Sequence, residues 1–162
     1  MAVKNILILG ASYGSLLASK LMLAGHNVSL VCLPAEAGLI NAEGFRVRMP
    51  VKGRKEQIEI DSRKLPGRVA AGGPGDFDPK HFDLIGLAMQ EPQYRSPGVR
   101  ELLHTVGVRG MPCMSIMNMP PLPYVKRIPG LNYAALIPAY TDATVWDGFD
   151  PKKITLCSPD PQ

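Results

Sequence analysis

Apolar runs, glycine stops and alternating stretches divide the chain into elements of different period. Ile6 to Leu9 is an unbroken apolar run that ends at Gly10, the pattern of a strand buried on both faces of a parallel sheet. Leu17, Leu21 and Ala24 then recur at helical spacing, with Tyr13 to Leu16 expected at the helix start and Gly25 as its C-terminal stop. Val28 to Leu33 is a second apolar run, close behind that glycine. A strand, a helix and a strand joined this tightly make a βαβ unit.

Beyond this unit, Pro34 ends the second strand and Ala35 to Ala42 reads as a short helix before Gly44. Phe45 to Met49 and Gln57 to Ile60 alternate apolar and polar residues around Gly53, which predicts an antiparallel hairpin with one polar face. Val69 to Asp78, rich in glycine and containing Pro74, reads as a loop. Phe82 to Met89 returns to the buried-strand pattern, and a helix carrying Val99, Leu102 and Leu103 is expected within Gln93 to His104. Cys113 to Met117 is a further short strand, followed by Asn118-Met119-Pro120-Pro121. Tyr133 to Pro138 and Ile154 to Cys157 are later strand candidates. The pattern is α/β: a doubly wound, mainly parallel sheet with an inserted antiparallel hairpin.

The candidate chemistry starts at the glycine turn. A helix that opens directly after a buried strand presents unpaired N–H groups and the positive end of its dipole, and a dinucleotide pyrophosphate is the usual occupant. Gly10-Ala11-Ser12-Tyr13-Gly14-Ser15 keeps two glycines of the pattern Gly-x-Gly-x-x-Gly and is one residue short of it. Gly10, Ser12, Tyr13 and Gly14 are therefore the candidate cofactor contacts. The alternative is a glycine turn that lets helix and strand pack closely. The same residues spell Gly-x-Ser-x-Gly, but a nucleophile elbow lies deeper in its sheet, and no Asp and His follow in order, which argues against a serine hydrolase. Met89 and Gln90, at the end of the third parallel strand, are expected to face the same crevice as the glycine turn.

Composition narrows the function classes. The chain has 162 residues, the size of one domain, with 46% hydrophobic content and a net charge of +4. The densest basic region, Arg46 to Arg68, interleaves its charges with Val, Ile and Gly, as a solvated hairpin does, so no nucleic-acid partner is expected. Cys32, Cys113 and Cys157 lie far apart, so neither a disulfide framework nor a metal site is indicated; Cys32 and Cys113 are expected in the core. The apolar runs are too short to cross a bilayer, and a cytoplasmic protein without a membrane partner is expected.

With these elements in place, the chain resembles the N-terminal Rossmann-like domain of the ketopantoate reductase (2-dehydropantoate 2-reductase) family, within the branch related to 6-phosphogluconate dehydrogenase. The resemblance is carried by the opening Ile-Leu-Ile-Leu-Gly-Ala, by Ala24-Gly25-His26-Asn27-Val28, by Glu43-Gly44-Phe45-Arg46-Val47 and by Ile116-Met117-Asn118. It implies NADP or NAD as cofactor, with the preference unresolved, and a small 2-oxo or 2-hydroxy acid as substrate of the full-length enzyme. The family position that pairs with the NADP 2′-phosphate through an Arg is Leu33 here, with Glu36 the nearest carboxylate, and the family's Lys after the third parallel strand aligns with Gln90. Asn118 matches the family residue near cofactor and substrate. The family continues into a helical catalytic domain, which also holds most of its dimer contacts. Residues 1–162 therefore read as a single dinucleotide-binding domain, Ser158 to Gln162 as a linker, and a homodimer as an expectation carried by the resemblance.

Two functions of different classes follow. The first is the cofactor-binding part of a nicotinamide-dependent oxidoreductase, with Gly10 to Gly14 under the pyrophosphate, Leu33 near the adenosine ribose, and Met89, Gln90 and Asn118 on the nicotinamide side. No catalytic residue is assigned. The second is a non-catalytic nucleotide-binding or interaction module with a degenerate turn.

Overall fold

The computed structural model describes residues 2–53 and 55–157; the expected linker Ser158 to Gln162 lies outside them. Six strands form one sheet: β1 (Asn5–Leu9), β2 (Asn27–Val31), β5 (Val69–Gly72), β6 (Leu84–Leu87), β7 (Cys113–Ser115) and β8 (Ile154–Leu156). Their order is β5-β2-β1-β6-β7-β8 and every pairing is parallel. Strands β3 (Arg46–Met49) and β4 (Ile58–Asp61) form the separate antiparallel hairpin expected from their alternation, in a register that pairs Arg48 with Glu59. The fold is a Rossmann-like doubly wound sheet.

Strand β1 shows why the sheet is covered on both faces. Ile6 and Ile8 pack with Leu17, Ala18 and Met22 of helix α1 (Ala11–Leu23) and with Ala37 of helix α2 (Pro34–Glu43). Leu7 and Leu9 point the other way, into a cluster with Val99, Leu102, Leu103 and Val106 of helix α3 (Pro97–Val108). A strand apolar at every position needs two such cores, and the alternation of side chains supplies one residue to each in turn. Helix α1 stops where expected: Gly25, at φ 86°, donates to Met22 O at 2.9 Å while the His26 amide donates to Leu21 O at 3.0 Å. This pair of bonds is a Schellman cap.

Several expectations are corrected. Val69 to Gly72 is not loop but the edge strand β5, paired with β2 from Val28↔Val69 to Val31↔Gly72. Its small residues carry little apolar signal, and the partner strand supplies the order. Tyr133–Ala139 is a 3₁₀ helix rather than a strand; Pro138 lies inside it and none of its residues is buried, so no sheet edge receives it. Helix α1 begins at Ala11, not Tyr13, and α3 runs on to Val108. Leu33 has left β2 and stands at the N-cap of α2, and Cys32 is half-buried rather than core, whereas Cys113 is buried. A short helix α4 (Leu122–Val125) follows β7.

Candidate functional site

In the strand order, β1 lies between β2 and β6, and the chain winds to one side through α1 and to the other through α3. The carboxyl ends of β1 and β6 thus border the crevice where doubly wound sheets bind ligands. Gly10 makes the exit from β1. Its φ is 105°, its amide donates to Val31 O at 2.9 Å, and a Cβ at this position would come 2.9 Å from the carbonyl oxygen of Ala88. Both the backbone angle and the approach of β6 therefore require glycine.

Helix α1 starts immediately after Gly10. Its first turn has no acidic residue and no side-chain cap, so the leading backbone N–H groups are left uncapped at the positive end of the helix dipole. Ser12 is exposed, and the Ser15 hydroxyl donates to Ser12 O at 3.0 Å. Gly14 is buried and faces the other way: a Cβ there would lie 2.6 Å from Ile8 Cγ2. Its role in the structure is to let α1 pack on β1, which is the packing alternative for this glycine.

Beside the turn lies a cleft of about 250 Å³ lined by Tyr13, Ala88, Met89, Gln90, Asn118 and Met119, with Glu91, Pro92, Ile116 and Met117 completing its wall. Four of the sequence-derived candidates, Tyr13, Met89, Gln90 and Asn118, are brought together here. Gly10, Ser12 and Gly14 stand at the adjoining helix start, and Leu33 is at the end of β2, 70% exposed. Tyr13 is 56% exposed, so its ring is held at the cleft mouth. The lining residues include no Lys, Arg or His. The uncharged donors and acceptors are the Gln90 and Asn118 amides and the Tyr13 hydroxyl.

The cleft wall is braced by residues that sequence reading did not single out. Glu91 is buried, yet its two oxygens are both engaged by Thr141: one accepts from the Thr141 amide at 3.0 Å and the other from its hydroxyl at 2.6 Å. The Met89 amide donates to the Tyr94 hydroxyl oxygen at 3.2 Å, and the Tyr140 hydroxyl donates to Pro120 O at 2.6 Å. Burial pushes the Tyr94 hydroxyl well above its ordinary value, and burial with the nearby Glu91 charge raises that of Tyr140. Neither phenol ionises near neutral pH. Tyr94 in turn packs against Trp146 at 5.4 Å between ring centres, and Trp146 against Phe149 at 5.7 Å. The Trp146 indole N–H has no hydrogen-bond partner among the described residues. The signal that could have marked Glu91 is its place four residues after a buried strand and three before an aromatic.

At the end of β2, the Cys32 amide donates to Gly72 O at 3.0 Å and the Leu33 amide to Glu36 Oε2 at 3.1 Å. Burial, and secondly the Glu36 charge, push the Cys32 thiol up. Among the described residues no cluster of three or more His, Cys, Asp or Glu is arranged to hold a metal, and no helix is long and apolar enough to cross a membrane.

No protein-family model and no curated protein matches the chain. Solved structures do. One, from Ralstonia solanacearum MolK2 and provisionally named a ketopantoate reductase, superposes with a TM-score of 0.62 at 18% identity, over 97% of this chain and 45% of that one. The chain has the fold of that reductase structure. A second, from Bacillus subtilis and provisionally named 2-dehydropantoate 2-reductase panE, aligns with a TM-score of 0.49 at 17% identity, over 75% of this chain and 35% of its own. The chain spans less than half the length of either structure. The ketopantoate reductase likeness accords with the resemblance read from the glycine turn and from Ala24 to Val28.

Proposed function

We propose that residues 1–162 form the cofactor-binding domain of a nicotinamide-dependent oxidoreductase similar to ketopantoate reductase, acting on a small 2-oxo or 2-hydroxy acid together with a second domain. The observation that carries this reading is the uncapped, acid-free start of α1 directly behind Gly10, at the point where the sheet reverses its winding. The residues present fit a dinucleotide there. The first N–H groups of α1 would receive the pyrophosphate, the end of β2 the adenosine ribose, and the cleft of Tyr13, Met89, Gln90 and Asn118 the nicotinamide. When bound, the nicotinamide supplies or accepts the hydride. Gln90 and Asn118 would orient a carbonyl or the cofactor amide, and the methionine side chains would exclude water.

Among the lining residues no carboxyl is free to give a proton to the substrate oxygen: Glu91 is tied to Thr141, and the other polar groups are the Gln90 and Asn118 amides and the Tyr13 hydroxyl. A cation for a substrate carboxylate is also missing from the lining. These two features favour, as the second reading, a module that binds nucleotide without catalysing a reaction.

Calorimetric titration with NAD(H) and NADP(H) tests the first reading. Binding weaker than micromolar is expected of residues 1–162 by themselves, and Ser12→Asp should remove it while leaving the melting temperature unchanged or raised. A carboxylate in the first turn favours the helix and repels phosphate. No binding by the wild type, or full binding by Ser12→Asp, would overturn it. Incubation of the chain with either reduced cofactor and a panel of 2-oxo acids should give no turnover; turnover would place a complete active site within these residues.

A further inference from the structure

We infer that Glu36 makes the chain select an unphosphorylated adenosine ribose, so that NAD(H) is bound in preference to NADP(H). The inference rests on the dinucleotide reading above and concerns the end of β2, where the ribose of a cofactor whose pyrophosphate sits on α1 must fall.

A 2′-phosphate needs cations or free N–H donors; α2 offers no cation, and the free N–H groups of its first turn, at Ala35 and Glu36, stand beside the Glu36 carboxylate. The Cys32 amide is used by Gly72 O and the Leu33 amide by Glu36 Oε2, while Pro34, the first residue of α2, has no N–H to give. The side chain projecting from this corner is Leu33, apolar and 70% exposed. Helix α2 contains no Lys, Arg or His, and Glu36 enters none of the ion pairs found among the described residues. Its charge is stabilised by the Leu33 amide and by the N-terminus of α2 and is matched by no cation among those ion pairs.

For a phosphate dianion that corner is repulsive. For a ribose it is complementary: hydroxyls donate, and Glu36 Oε1 has no hydrogen-bond partner among the described residues. Repulsion at partly solvated separations of a few ångströms corresponds to discrimination of about tenfold or more. Leu33 adds nothing for either cofactor beyond contact with the adenine edge.

The experiment titrates NAD⁺, NADP⁺, 5′-AMP and adenosine 2′,5′-bisphosphate calorimetrically into the wild type, Glu36→Gln and the double variant Leu33→Arg with Glu36→Gln. Glutamine can still accept from the Leu33 amide through its side-chain oxygen, so the α2 cap survives and a melting curve verifies it. The wild type should bind NAD⁺ about tenfold or more tighter than NADP⁺, with AMP and its bisphosphate in the same order. Glu36→Gln should narrow the ratio chiefly by tightening NADP⁺, and the double variant should invert it. Equal or tighter NADP⁺ binding by the wild type, or a ratio unmoved by Glu36→Gln, overturns the inference while leaving the dinucleotide reading intact. Failure of every ligand to bind overturns both.

Discussion

Asn41 and Ala71 exchange two hydrogen bonds, each 2.8 Å long: the Asn41 side-chain nitrogen donates to Ala71 O, and the Ala71 amide donates to Asn41 Oδ1. The carboxamide thus imitates a neighbouring strand and covers the free edge of β5 at Ala71. Asn41→Ala should cost about 1–3 kcal/mol, read as a lower urea midpoint, because it strands two part-buried backbone groups. Asn41→Asp, which keeps the acceptor and loses the donor, should fall between the two. Wild-type stability in the alanine variant would mean the edge is closed by something else.

Gly14 and Gly38 make a matched pair. A methyl at Gly14 would sit 2.6 Å from Ile8 Cγ2, whereas one at Gly38, in the middle of α2, meets nothing within 4 Å. Gly14→Ala should destabilise by about 1–3 kcal/mol through overpacking, and Gly14→Val by more. Gly38→Ala should stabilise by about 0.5–1 kcal/mol by lowering the entropy of the unfolded chain. Thermal melts of the variants decide it, and a loss of cofactor binding by Gly14→Val would then reflect the packing of α1 rather than a blocked phosphate.

Three carboxylates tie distant segments together and titrate below the ordinary value of 3.8. Asp78 is held by Lys80, through side chain and amide, and by Arg109; Asp83 by the Asn5 amide and Lys4; Asp142 by Thr144 and Arg100. Since the folded values are lowered, the unfolded chain takes up protons first as the pH falls. Their contribution is complete above the unfolded value and is lost as the pH drops through the folded ones. Urea midpoints should therefore be level from about pH 5 to 7 and decline below about pH 4, less steeply in Asp142→Asn. A decline equally steep in that variant would exclude Asp142 as a contributor.

Cys113 should resist alkylation. Burial pushes its thiol up to about 12, and its side chain is 2% exposed against β6 and β8. At pH 8 the thiolate, the reactive form, is absent and the sulfur is out of reach. Iodoacetamide followed by peptide mapping should modify the exposed Cys157 and leave Cys113 untouched until urea unfolds the chain. Early modification of Cys113 would reveal local opening of β7.

The parts of the fold that were legible are those whose signal is local. Ile6 to Leu9, and Leu84 to Leu87 within the expected Phe82 to Met89, announce the central strands because burial on both faces leaves no polar position. Strand β5 was illegible because Val-Ala-Ala-Gly carries little apolar surface; its order comes from β2 and from Asn41, 30 residues distant. The stretch from Tyr133 misled because its composition suits a strand while Pro138 and full exposure deny it a neighbour. Tyr13, Met89, Gln90 and Asn118, expected at one crevice because strand ends and helix starts are readable positions, line the same cleft. The bonds from Glu91 to Thr141 and from Met89 to Tyr94 were not legible, since the first joins residues 50 apart and the second depends on how a short 3₁₀ turn folds back.

The arrangement behind the cleft gives the protein a built-in optical probe. Trp146 is the sole tryptophan of the chain; it is 4% exposed, its indole N–H meets no acceptor among the described residues, and it leans on Tyr94, whose hydroxyl holds the Met89 amide at the cleft wall. Its emission should be blue-shifted for want of water around the ring. Any molecule that moves Met89 and Gln90 would tug on Tyr94 and change that emission, so occupancy of the cleft can be followed by light without attaching a label.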